Sequence, residues 1–432
     1  MTKLSVEYIQ PSSPTPQHKR NIKLSYLDLL HRPTYASILF FYEAAVAGAG
    51  ADQSQIIRRL KDSLADTLTS FYSLAGVVHV GKDDAHIDCN DTGAEFIESR
   101  VDVVLADVAA ERNVDDLGPY VVAESETKAP LVVKVTFFKC GGICVAISLL
   151  HLAADGGSAA IFADAWAKTC SGKPDFAPPT FEAAEYFPAR EFPDHHNGKF
   201  MPLGDENFAT KRFVFDEEML RVLKRKAASK SVPYPSRVEA ISAFIWEHFI
   251  AMANSSPEPS TGAIYPAIQA VTLRGRTNPP VNLKNVLGNC YMLAFAKHEA
   301  TGDSAGGEEG FYQKLVQEMR NSIRKIDGDY ISRSQEGDDY LKDLQGFSAR
   351  QAAGELMDGC VFSSWCGFPL YEIDFGWGRP VWVSTAAVTV RNTTILMGTR
   401  SGGAIEAWVN MEKDKVDLLQ RKIDLILEED RH

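Results

Sequence analysis

The residues best suited to chemistry lie in one short segment, Ser148-Leu149-Leu150-His151-Leu152-Ala153-Ala154-Asp155-Gly156-Gly157. An apolar run ends at a histidine, small residues make a turn, and an Asp-Gly pair opens what reads as a helix. A histidine at a strand end stands on a rigid element yet points out of the core, as a general base should. Its near-neutral intrinsic pKa suits removal of a proton from an alcohol at physiological pH. Asp155, four residues on, can orient the imidazole, or bind an arginine and hold the turn closed. The same short spacing also fits a capped helix, with Asp155 at its N-terminus and His151 a half-buried strand residue. Spacing alone leaves these readings open.

The elements that must position this segment are legible from periodicity. Leu131–Phe138 and Ile143–Leu150 are short β-branched runs joined by Lys139-Cys140-Gly141-Gly142, which predicts a hairpin of buried strands. From Gly156 to Cys170 the period turns helical, with Phe162, Trp166 and Cys170 on one side and Gly172 and Pro174 as the stop. Asp52–Tyr72 carries Ile57, Leu60, Leu64, Leu68 and Phe71 at helical spacing. Lys173–Asn207 is dense in proline and lacks an apolar period, which predicts a long crossover. Beyond it come a strand at Lys211–Asp216, helices at Glu217–Ser229 and Ser236–Ala251, a surface loop at Ala300–Glu309 and a last helix at Lys413–Leu427. The irregular alternation predicts an α/β chain of two domains with mixed sheets.

Composition narrows the partners. The chain has 432 residues, 45 % apolar, enough for two domains with cores of their own. A net charge of −12 argues against binding nucleic acid through the overall field, though a local basic pocket for a small anion is compatible with it. Cys140 and Cys144 are four apart with no second Cys/His pair to follow, and His195-His196 reads as a solvated loop pair. No metal site is expected. The seven scattered cysteines read as reduced thiols. The N-terminus lacks a signal-peptide core, and no apolar run reaches the ~20 residues of a membrane span.

On its motifs the sequence resembles the BAHD acyl-CoA-dependent acyltransferases over nearly its whole length. The family's HxxxD motif matches His151 to Asp155, and its DFGWG motif matches Asp374-Phe375-Gly376-Trp377-Gly378. Supporting matches include Leu24-Ser25-Tyr26-Leu27-Asp28, Phe71-Tyr72-Ser73-Leu74-Ala75-Gly76, Val271-Thr272-Leu273-Arg274-Gly275-Arg276, Gly288-Asn289 and Ser363-Ser364-Trp365. Leu152 departs from the family, where many members carry a polar residue. Gln10–Pro16 and Phe362–Gly378 resemble the vinorine-synthase-like alkaloid acetyltransferases.

The resemblance implies a chloramphenicol-acetyltransferase-like α/β fold: two similarly built domains with mixed sheets and an active-site channel between them. The N-terminal domain would be 1–190, the crossover 191–210 and the C-terminal domain 211–432, with 367–390 packing back on the first. It implies acyl-CoA, acetyl-CoA in this grouping, as co-substrate rather than tightly bound cofactor, and a small hydroxylated acceptor. His151 would take the acceptor's proton as its oxygen attacks the thioester, then return it to the CoA thiolate. A thioester is already activated, so neither Cys144 nor Cys170 need form an acyl-enzyme. Asp374 and Trp377 belong to the second motif. Asp374 would pair with a basic group, and the Trp377 indole N–H is a candidate oxyanion donor. Gly-Trp-Gly also reads as architecture, with Gly376 and Gly378 in support. Arg274, or failing it Arg276, would partner Asp155. Ser236 and Arg237 at a helix N-terminus could cradle a CoA phosphate, or Ser236 could simply cap the helix. The expected protein is a cytoplasmic monomer without nucleic-acid or membrane partners. An amine acceptor fits the same motifs. A non-catalytic relative fits less well with His151 and Asp155 intact.

Overall fold

The apolar runs of the sequence become the middle strands of two sheets. The computed structural model describes residues 1–44, 52–81, 84–111, 114–122, 127–190, 201–254, 262–300 and 310–428. His195-His196, much of the expected crossover and the stretch 301–309 lie outside the described residues. The chain divides into two compact units. One comprises Met1–Lys199, Pro280–Cys290 and Phe368–Ala387; the other comprises Phe200–Pro279, Tyr291–Gly367 and Val388–His432. The expected boundaries place 280–290 in the second domain, whereas here it belongs to the first unit. Its backbone and side chains hydrogen-bond to the first unit, as described below.

The first unit holds a six-stranded mixed sheet in the order Thr2–Ile9, Ala94–Arg100, Leu131–Phe137, Ile143–Leu150, Tyr35–Tyr42, Trp382–Thr385. Only the pairing of Ala94–Arg100 with Leu131–Phe137 is parallel. The expected hairpin forms, turning through Gly141 at φ +85°. Ile143–Leu150 is an inner strand buried at all eight positions, so its sequence reads as a continuous apolar run rather than an alternation. Two helices pack together beside it. Gln53–Ser70 starts at Asp52, whose side chain accepts from the Ser54 N–H, and buries Ile57, Leu60, Leu64 and Leu68. Gly156–Cys170 buries Phe162, Trp166 and Cys170, and the Trp166 indole donates to Ser63 Oγ (3.1 Å).

The second unit repeats the plan with a mixed sheet ordered Tyr291–Glu299, Ile264–Thr272, Cys360–Ser364, Thr393–Gly398, Ile405–Glu412, Phe208–Phe215. Its core packs helices Glu217–Ala227, Arg237–Asn254 and Phe311–Lys325 through Leu223, Ile241, Ile245, Leu315 and Met319. Two local expectations shift. The proline-dense segment contains a short helix, Ala183–Tyr186, and a bridge from Thr180 to Val286. The last helix is a 3₁₀ turn at Lys413–Lys415 followed by Val416–Asp424. No described helix is long and apolar enough to cross a membrane.

Candidate active site

His151 follows the last strand residue, Leu150, as the first residue of the turn, its N–H donating to the Thr34 carbonyl (2.8 Å). The chain then turns on the Leu150 carbonyl, which accepts from the N–H groups of Ala153 and Ala154, and enters the helix at Asp155. The imidazole meets Asn289 across 138 residues of sequence, with Nδ1 3.1 Å from Asn289 Oδ1. The orientation of that amide is set elsewhere. Asn289 Nδ2 donates to Asp28 Oδ1 (2.9 Å) and to the His151 carbonyl (2.7 Å), both of which can only accept. Oδ1 therefore faces the ring as an acceptor, and Nδ1 must carry the proton. In a neutral imidazole the in-plane lone pair is then on Nε2. Burial pushes the His151 pKa down, while its own backbone, Asp155, Asn289 and Asp28 pull it back.

Asp28 anchors this arrangement from below. Its carboxylate accepts from the Ser25 N–H (2.8 Å), the Ser25 hydroxyl (2.6 Å), and the Asn289 N–H and Nδ2. Burial raises its pKa and those four donors oppose the rise, the donor set expected of a carboxylate anion. In the sequence Asp28 and Asn289 stand out only as matches to a family pattern, with no role attached. Their signal was the resemblance alone, because neither lies near His151 in sequence.

Asp155 caps its helix, Oδ1 accepting from the Ser158 N–H (2.7 Å), while Oδ2 accepts from the Cys290 N–H (3.0 Å). Ser158 continues the lacing, exchanging hydrogen bonds with the Gly288 carbonyl (2.9 Å) and N–H (3.1 Å). Thr180 adds two more bonds, to Asn285 and Leu287. The strap 280–290 is thus sewn onto the turn that carries His151. Of the three sequence readings of Asp155 (orienter of the imidazole, partner of an arginine, helix cap), these hydrogen bonds supply the cap, together with an anchor for the strap. Arg274 lies in the second unit, at the turn after Ile264–Thr272, its N–H donating to Thr272 Oγ1 (3.3 Å).

The second motif sits far from this turn. Asp374 Oδ1 accepts from the N–H groups of Gly376 and Gly378 (2.7 Å each), closing a turn in which both glycines have positive φ, +94° and +102°. Side chains other than glycine rarely adopt that backbone. The basic group expected for Asp374 meets the neighbouring backbone instead. Arg59 donates to the carbonyls of Phe375 (2.7 Å) and Cys170 (3.0 Å), and lies 5.4 Å from the centre of the Trp377 ring. Trp377 stacks on Phe375 and meets Tyr42 edge-on. These contacts fall at the C-terminal end of the 15-residue helix that Asp155 begins, about 22 Å away at 1.5 Å per residue. Tyr42 pairs with Ile143, at the opposite end of the eight-residue strand from His151, about 26 Å by the strand rise. The Trp377 indole finds no hydrogen-bond partner among the described residues, but both rulers place it too far from His151 to serve an oxyanion there. That assignment is corrected: Asp374, Gly376, Trp377 and Gly378 form a packing joint.

A family model, the Transferase family, matches residues 1–425. The chain belongs to this family, the BAHD acyltransferases. It is 35 % identical to stemmadenine O-acetyltransferase of Catharanthus roseus over 439 residues, 99 % of this chain and 98 % of that protein. It is 35 % identical to vinorine synthase of Rauvolfia serpentina over 443 residues, covering 100 % and 98 %. The crystal structure of vinorine synthase superposes with a TM-score of 0.80 at 34 % identity over 96 % of each chain. The complex of F. graminearum TRI101 with coenzyme A and deoxynivalenol, at 16 % identity and a TM-score of 0.70 over 93 % and 97 %, shares the fold. Membership makes the protein an acyltransferase with acyl-CoA as co-substrate.

In this BAHD chain the residues expected at the CoA phosphates lie in the second unit. Ser236 and Glu239 form a reciprocal cap, the Glu239 N–H donating to Ser236 Oγ (3.1 Å) and the Ser236 N–H to Glu239 Oε2 (2.7 Å). Arg320 holds Glu239 with two bonds of 2.6 Å. Arg237 donates to the carbonyls of Gly402 (2.7 Å) and Gly403 (3.2 Å), tying the helix start to that turn. All seven cysteines are free thiols. Burial raises the pKa of Cys144 and Cys170, and both lie at the far ends of the strand and helix from His151. The fold brings a different cysteine to the turn: Cys290, whose backbone N–H binds Asp155.

Proposed function

We propose that this protein transfers an acetyl group from acetyl-CoA directly to a hydroxyl of an alkaloid-like plant metabolite, with His151 as general base. One observation carries the reading. The Asn289 amide holds His151 as its Nδ1–H tautomer, so Nε2 bears the lone pair that accepts the proton. The base returns that proton to the CoA sulfur as the thiolate leaves. Asp28 and Asp155 position it, the first through Asn289 and the second by anchoring the strap. Ser236 and Arg237 contribute the CoA phosphate contact, the Arg237 guanidinium as the cation and Ser236 from the capped helix start, in exchange for the bonds they make with Glu239 and the 402–403 carbonyls. The relative named stemmadenine O-acetyltransferase supports the acetyl group, the hydroxyl and the alkaloid class. The protein acts as a cytoplasmic monomer, a setting that suits seven unbridged thiols.

Purified protein supplied with acetyl-CoA and a panel of hydroxylated alkaloids should release free CoA thiol only when an acceptor is present. Double-reciprocal plots should intersect, and acetyl-CoA alone should leave the intact mass unchanged. Parallel lines together with one acetyl group on Cys290, Cys144 or Cys170, discharged by acceptor, would overturn direct transfer. Turnover with amines alone would move the assignment to N-acylation.

A further inference from the structure

A second imidazole lies against the first. The His31 and His151 rings stack with centroids 4.3 Å apart and planes 23° from parallel, close enough for the faces to touch. His31 follows the turn Tyr26–Leu29, its N–H donating to the Asp28 carbonyl (3.1 Å). The segment that supplies Asp28 to Asn289 therefore also supplies the ring over His151. We propose that His31 is a positioning residue for the base: its ring fixes the His151 plane from one face while Asn289 fixes the Nδ1 edge, and it offers a neutral π face to the imidazolium formed during transfer. The proposal rests on the reading of His151 as general base.

Two physical arguments support it. A ring held only at Nδ1 can still swing about that hydrogen bond, and a displacement of about 1 Å at a reacting atom can cost about 100-fold in rate. A face contact removes that freedom. Burial and the neighbouring His151 also keep the pKa of His31 well below the ordinary histidine value, so the stacked ring is neutral where the enzyme works. A neutral aromatic face attracts a cation. Among the described residues, charged groups that act on His151 include Asp28, on the segment before His31, and Asp155, beyond the His151 turn. Arg32 follows His31 in the chain. Both carboxylates are held by hydrogen bonds, Asp28 by four and Asp155 by the Ser158 and Cys290 N–H groups.

The test compares His31→Leu, which keeps volume without a ring, with His31→Phe, which keeps the ring. His31→Leu should lower kcat about 10-fold with KM for acetyl-CoA unchanged, and move the acid limb of the kcat profile to lower pH. His31→Phe should rescue kcat to within about threefold of the native chain and restore the acid limb. Should the leucine chain be insoluble, His31→Gln repeats the comparison. A ring-free variant as active as the native chain overturns the proposal, as does a phenylalanine variant no better than leucine. His151→Ala is assayed alongside. If it is inactive while His31→Leu is normal, only this inference fails; if it stays active, the base reading itself is wrong.

Discussion

The strand Ile143–Leu150 and the helix Gly156–Cys170 carry a sequence motif at each end, and the two ends are built from different materials. At one end Asp28, His31, His151, Asp155 and Asn289 crowd titratable and amide groups together, and burial shifts the pKa of Asp28, His31 and His151. At the other, Tyr42, Trp166, Phe375 and Trp377 pack edge-on and stacked around Arg59, whose guanidinium spends its donors on main-chain carbonyls. Both motifs are intact, yet only the first, among the described residues of the two ends, presents an imidazole with its tautomer fixed by a neighbour. An intact motif marks a constraint, and the constraint can be chemical or mechanical.

The sharpest way to break this contrast is at the base. His151→Ala should retain the native fold and lose turnover by about 10²–10⁴-fold, the usual contribution of a general base; near-native kcat in the purified variant would end the distinction. Asp155→Ala should act on stability first. It strips two buried N–H groups, those of Ser158 and Cys290, of their acceptor, and should cost about 2–5 kcal/mol in denaturant unfolding along with activity. Normal unfolding with no turnover would move Asp155 into the chemistry.

Asp374→Ala should cost less, about 1 kcal/mol, since Asp374 and the glycines it binds are not fully buried and water can replace part of what is lost. Its kcat should stay near native at a temperature where it is folded. The pH dependence of stability should separate the ends next. The folded pKa values of His31 and His151 lie below the ordinary value near ~6.5, so the stability they contribute is present above that pH. It is lost as pH falls through their folded values, and His31→Phe should flatten this acid decline in a melting series. The smallest change is expected from Trp377→Phe, which keeps a ring in the packing joint and should leave kcat within about threefold. A loss of about 100-fold, the usual cost of an oxyanion donor, would return Trp377 to the chemistry.

Much of the scaffold was legible from periodicity. The helix at Gly156–Cys170 matches its expected limits, and the hairpin strands lie where the β-branched runs placed them. Edges moved where tertiary pairing decided them. The strand expected at Lys211–Asp216 begins at Phe208, because Ile405–Glu412 pairs with it along that whole length. A strand such as Thr2–Ile9, largely exposed on one edge of its sheet, carries little apolar signal and was not foreseen.

The sequence by itself determined the strand–turn–helix that displays His151, because its apolar period, small-residue turn and Asp155 cap are all local. It also held both family motifs in order. Only the tertiary structure decided which nitrogen of His151 carries its proton. That depends on Asn289, 138 residues from His151 and 261 from Asp28, and on hydrogen bonds that leave no period or spacing in the chain. The same holds for the division of labour between the motifs. Distance along a helix and a strand, not residue type, separates Trp377 from the base. Local sequence encodes the direction of each element, whereas partners across the fold are set only when those elements pack.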